Sequence, residues 1–138
     1  MISFEMPADP SLVATLCAMV RTFAETKGLA TDESRRLELA VDEVASNVIL
    51  HAYRGDSTQR FRGEMESRDG RIIVRIYDRG PGFDLEKVPA PDLHLTIEEA
   101  PVGGRGLFLV RKMTDEIHYQ RQAGGENCFT LVKKIKDN

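Results

Sequence analysis

The run Arg71-Ile72-Ile73-Val74-Arg75-Ile76-Tyr77-Asp78-Arg79-Gly80-Pro81-Gly82 decides how the rest of the chain is read. Side chains alternate along a strand, so Ile72, Val74, Ile76 and Asp78 share one face, while Arg71, Arg75 and Tyr77 make the other more polar. A carboxylate closing an apolar row is costly unless it is hydrogen-bonded. The exocyclic amine of a purine would satisfy Asp78, and Gly80 and Gly82 would let the backbone approach a flat ligand closely. The plainer alternative is a strand-end turn in which Asp78 accepts hydrogen bonds from its own loop amides.

Upstream, residues 60–68 form a second strand-like run, joined to the first by Asp69-Gly70, a hairpin dipeptide. Ile2, Phe4 and Met6 alternate with polar residues and predict a short N-terminal strand. Asp9-Pro10 opens a helix carrying Leu12, Leu16, Met19, Val20 and Phe23, and Gly28 stops it. A second helix starts near Thr31-Asp32-Glu33, where acidic side chains suit the positive end of the helix dipole, and runs to about Tyr53. Downstream, residues 79–103 are irregular and rich in Pro, Gly and acidic side chains. A third helix begins at Gly104-Arg105-Gly106 and carries Leu107, Leu109, Val110 and Met113. Strands near 115–122 and 127–135 follow, joined across Gly124-Gly125. Helices and hairpins segregate in this order. The fold expected is a two-layer α/β (α+β) sandwich, with a mixed, mainly antiparallel sheet and helices on one face.

With 138 residues, 41% hydrophobic and 30% charged, residues 1–138 read as one globular domain. A net charge of −3 argues against nucleic acid or an anionic membrane as the main partner. Cys17 and Cys128 have no metal-ligand spacing, and no disulfide framework is indicated. No apolar run approaches the roughly 20 residues that cross a bilayer, and the first residues do not form a signal peptide. The cytoplasm is the expected compartment. Lys133, Lys134 and Lys136 read as a solvated strand end.

The second helix holds the next chemistry. Leu37, Ala40, Val41, Val44 and Val48 form its core stripe, and Glu38, Asp42 and Ser46 a polar stripe roughly opposite. Glu43 and Asn47 fall on neither. One turn apart, they could aim a carboxylate and an amide at one ligand, or simply form a solvated flank pair. The third segment, Val102-Gly103-Gly104-Arg105-Gly106-Leu107, exposes backbone N–H groups at a helix start, where an anion is favoured, and Arg105 adds a fixed charge. Neither a Walker loop nor a dinucleotide fingerprint is present. A glycine-rich hinge with no ligand is the alternative.

Glu43-x-x-x-Asn47, Asp78-x-Gly80-x-Gly82 and Gly104-x-Gly106 together resemble the N, G1 and G2 boxes of the GHKL (Bergerat-fold) ATPases, and Thr130 resembles the threonine on the last strands of that fold. The resemblance covers nearly the whole chain. Asp42-Glu43-Val44-Ala45-Ser46-Asn47 and Gly103-Gly104-Arg105-Gly106-Leu107-Phe108-Leu109-Val110 are most similar to the anti-sigma factor serine kinases of that superfamily.

The resemblance implies ATP and Mg²⁺ as cofactors. Asn47 would complete the Mg²⁺ shell, and Glu43 would be the general base. Asp78 would accept the adenine amine, with Gly80 and Gly82 beside the base and Thr130 reaching the adenine side. Gly104, Arg105, Gly106 and Leu107 would hold phosphates, and residues 84–103 would form a lid. It further implies a homodimeric serine kinase that binds a sigma factor and phosphorylates a small anti-sigma antagonist. No histidine-bearing dimerisation hairpin or transducer segment is legible in the 138 residues, so action on a separate protein is expected. The alternative function is a nucleotide-controlled binding switch without kinase activity.

Overall fold

The structure is a computed structural model that describes residues 1–80 and 105–136. Its elements run β1 (Ile2–Pro7), α1 (Val13–Thr26), α2 (Thr31–Asn47), β2 (Arg60–Arg68), β3 (Arg71–Asp78), α3 (Arg105–Met113), β4 (Glu116–Arg121) and β5 (Asn127–Lys134). A 3-10 turn at Pro10–Leu12 precedes α1, and the carboxylate of Asp9 caps it by accepting from the Ser11 amide at 2.9 Å. The hairpin between β2 and β3 turns through Asp69 (φ 53°) and Gly70 (φ 73°). Two consecutive positive φ angles are what a two-residue hairpin loop with the right twist demands.

The strand order is β1-β2-β3-β5-β4, and every pairing among the described strands is antiparallel. The parallel component that a mixed sheet would contain is therefore not found among them. Ile72, Val74 and Ile76 of β3 and Phe129 and Leu131 of β5 enter one core with Leu16, Leu37, Val41, Leu107 and Val110 from the three helices. All three helices thus cover one face of the sheet, with α2 packed against both α1 and α3. The expected stripe of α2 is fully inside: Leu37, Ala40 and Val41 are 0% exposed.

Two local expectations change. The helix expected to reach Tyr53 is α-helical only to Asn47 and continues as a π-turn over Val48–Ala52. The Tyr53 amide donates to the Val48 carbonyl, five residues back, at 3.1 Å. Such turns insert one extra residue and re-aim the chain beyond them. Lys133 is not solvated. It is 4% exposed, because it shares the helix-facing side of β5 with Phe129 and Leu131, and it pairs there with Glu33 from the first turn of α2. A buried ammonium requires such a partner.

Candidate functional site

Glu43 and Asn47 lie half-buried on the flank of α2 that faces α3. A Cβ built at Gly106 would fall 2.5 Å from Oε2 of Glu43 and 3.7 Å from Nδ2 of Asn47. The absence of a side chain at Gly106 therefore lets the carboxylate and the amide rest on the first turn of α3. That turn carries amides with no partner inside the helix. Leu107 sends its own side chain into the core, which anchors the turn, so only its backbone is available to a ligand. Arg105 opens α3. Its side chain, together with Gly82 and Gly104, lies outside the described residues, as does the expected lid.

Asp78 is 4% exposed at the end of β3. Its Oδ1 accepts from the Gly80 amide at 2.8 Å and from Nδ2 of Asn127 at 3.0 Å. The turn foreseen as the plainer alternative does form, yet it occupies only one carboxylate oxygen. Oδ2 accepts no hydrogen bond among the described residues. Gly80 is pressed against the π-turn: a Cβ there would overlap Cβ of Ala52 and come within 2.9 Å of its Cα. The Arg79 amide donates to the Tyr53 hydroxyl at 2.9 Å. Burial raises the Tyr53 phenol above its ordinary pKa, with the nearby Asp78 charge adding to the rise, so this hydroxyl stays protonated. The extension of α2 thus clamps the strand end that holds Asp78. One helix organises both halves of the site, Glu43 and Asn47 at its end and Ala52 and Tyr53 just beyond.

Thr130 does not join them. The β3–β5 register sets Thr130 opposite Arg75 and Asn127 opposite Asp78. Directly paired residues share a face, and positions three apart do not. Thr130 therefore points to the outer face of the sheet, and Asn127 is the β5 residue beside Asp78. Asn127, Tyr53 and Ala52 escaped the sequence reading. Asn127 had a signal: it is the polar start of the apolar row Phe129, Leu131, just as Asp78 is the polar end of another. Only the register of two strands distant in sequence brings these anomalies together.

The donor set fits a purine nucleotide and one hard cation. Asp78 offers a carboxylate oxygen that no described residue engages and that could accept from an amine. Gly106 leaves open a cradle that a Cβ would fill, and Asn47 can supply an amide oxygen of the kind Mg²⁺ accepts. Residues 6–133 match the model of the histidine kinase-like ATPase domain. A serine-protein kinase, RsbW, of Bacillus licheniformis is 30% identical over 132 residues, covering 89% of this chain and 80% of the relative. Among solved structures, the RsbU and RsbW domains of a Mycobacterium tuberculosis protein superpose with a TM-score of 0.68 at 18% identity, over 97% of this chain and 31% of that one. The SiaB–SiaC complex of Pseudomonas aeruginosa also gives 0.68, at 13% identity, over 96% of this chain and 88% of that one.

The chain belongs to the histidine kinase-like ATPase domain family. Within it, the chain is an ATP-dependent serine kinase like the RsbW proteins it matches. A binding switch without kinase chemistry is not favoured by relatives that are kinases.

Proposed function

We propose that the protein holds a sigma factor in one state and, in another, phosphorylates a serine of a small antagonist protein. The observation that carries this is the pairing of Glu43 with Asn47 against Gly106. It supports a base and a hard ligand on α2 beside the first turn of α3, which is suited to phosphates. Bound ATP supplies the phosphoryl group and Mg²⁺ neutralises its charge. Glu43 accepts the proton of the attacking serine hydroxyl. Asn47 holds the cation, and the amides of Gly106 and Leu107 face the phosphates. Gly104 and Arg105 would add to that grip, and Gly82 would border the adenine. Asp78 reads the adenine amine. The RsbW likeness supports the serine chemistry, and a sigma-factor partner would put the protein in the cytoplasm.

The protein is further assigned as a homodimer. An apolar hollow runs along α1 from Ile2 and Met65 to Phe23, beside the open edge of β1.

Two substitutions test the mechanism. Glu43→Ala should keep nucleotide affinity and lose roughly 10²–10⁴-fold in transfer rate, the usual worth of a base. Asn47→Ala should instead lose Mg²⁺-dependent nucleotide affinity. Calorimetry with ATP and labelled transfer to a co-purified partner measure the two separately. Wild-type transfer by Glu43→Ala would remove Glu43 from the chemistry.

A further inference from the structure

Asn127 is 1% exposed, and every hydrogen-bonding position of its amide is filled. Nδ2 donates to Oδ1 of Asp78 at 3.0 Å and to the Gly80 carbonyl at 2.9 Å. Oδ1 of Asn127 accepts from the Tyr119 hydroxyl at 2.9 Å and from Nη1 of Arg121 at 3.3 Å. An amide offers two donors and two lone pairs, so none is spare. The arrangement has one direction only. A flipped amide would turn its nitrogen toward the Arg121 guanidinium, which cannot accept, and its oxygen toward the carboxylate of Asp78.

A carboxylate's last torsion is broad and its two oxygens are equivalent, so a single bond from the Gly80 amide does not fix the plane of the group. The second bond, from Asn127, does. It holds Oδ1 inward, and the same amide nitrogen grips the Gly80 carbonyl on the far side of the turn. Tyr119 and Arg121 on β4 hold Asn127 in turn, and the tilted stack of Tyr119 on Phe129, with ring centres 4.8 Å apart, fixes that hydroxyl. A chain of polar contacts thus runs from the edge strand to Oδ1 of Asp78, beside the Oδ2 that no described residue engages. Such chains strengthen their members by mutual polarisation.

We propose that Asn127 is a positioning residue for base recognition: it locks the Asp78 carboxylate so that Oδ2 is presented to the exocyclic amine of adenine. This rests on the reading of Asp78 as the adenine acceptor. Asn127 does not touch the nucleotide and acts only through Asp78.

The test uses the full chain, calorimetry, and two ligands with Mg²⁺: ATP, and purine riboside triphosphate, which lacks the 6-amino group. Asn127→Ala is expected to weaken ATP about tenfold, the worth of one hydrogen bond to a charged group. It should weaken the amine-free analogue by less than about twofold. A general loosening of the strand end would weaken both ligands alike and would overturn the proposal. So would unchanged ATP affinity. Should the alanine variant fail to fold, the near-isosteric Asn127→Asp carries the same comparison. It removes the donor, sets a like charge beside Asp78, and should lose ATP selectively. Asp78→Asn tells the two ideas apart. If it weakens ATP and the analogue equally, Asp78 does not read the amine and the underlying reading fails. If it is selective for ATP while the Asn127 variants are not, only the role of Asn127 fails.

Discussion

Gly106 faces the Glu43 carboxylate so closely that an added methyl carbon would lie 2.5 Å from Oε2. That oxygen ends a flexible side chain, so it can yield where packed backbone cannot. Gly106 also lies in a helix, with φ outside the positive region that disfavours other residues. Alanine is worth up to about 1 kcal/mol more than glycine in a helix. Gly106→Ala should therefore melt no lower than the wild type while its transfer rate falls. The fall approaches the roughly 10²–10⁴-fold of a lost base as Glu43 is pushed aside. A thermal melt and a transfer assay on one preparation decide it; equal losses in both would mean Gly106 matters only for packing. Cys17, on α1 with its thiol donating to the Glu38 carbonyl of α2, gives a second residue-scale test. Burial, and then the charges of Asp42 and Glu38, push its thiol up to about 12. A thiol raised in the folded state stabilises below its unfolded pKa of about 8.5 and loses that contribution as pH climbs toward 12. Native Cys17 should resist thiol reagents at pH 8. Stability should fall more steeply between pH 9 and 11 in the wild type than in Cys17→Ala, as denaturant midpoints would show.

At the scale of elements, α2 is tied to the sheet at both ends. Its first turn sends Glu33 to the buried Lys133 of β5, and its last residues hand over to the π-turn against Gly80. Removing one partner of a buried pair strands the other charge. Glu33→Ala should cost about 2–3 kcal/mol, less than for a fully enclosed pair because the Glu33 side chain keeps 19% of its exposure. Lys133→Met, which deletes the charge but keeps the stem, should cost less than Glu33→Ala. Urea titrations that rank the variants the other way would show the pair to be of little consequence. The same elements show what could be read in advance. The bounds of β2 and β3 were legible because Asp69-Gly70 is a local device whose chemistry lies within two residues. The Glu43–Asn47 spacing was legible because helical periodicity is local too. The partner of Asp78 was not, since pairing β3 with β5 joins residues some fifty positions apart. The family resemblance pointed to Thr130, whereas register gives Asn127. Burial of Lys133 was hidden for the same reason: only the assembled layers bring Glu33 above it.

For the molecule as a whole, the outer face of the sheet and the outer face of α1 differ in character. On the sheet, Arg62 spans from Glu64 to Glu126 and lies 3.8 Å above the ring centre of Tyr77, while Arg75 joins Glu64 and Glu66. Those charges pair with one another, and Ile73 and Val132 on the same face are buried. Along α1 the hollow of about 830 Å³ is lined by Ala14, Ala18, Met19, Phe23, Ile2 and Met65, softened only by threonines. Ile2 is 46% exposed there, on a strand that stands at the sheet edge among the described residues. An apolar face beside an open edge suits a second copy, because a two-fold axis would bring each hollow against its equivalent. Thr22 is exposed on that face, and Arg in its place would set two like charges together across such an axis without touching the core. The wild type should therefore show a dimer mass at micromolar concentration in light scattering. Thr22→Arg should show a monomer that still melts cooperatively and still binds ATP, since Glu43 and Asn47 lie on the flank of α2 toward α3. A wild-type monomer would remove the dimer altogether. A Thr22→Arg dimer would move the interface to another face.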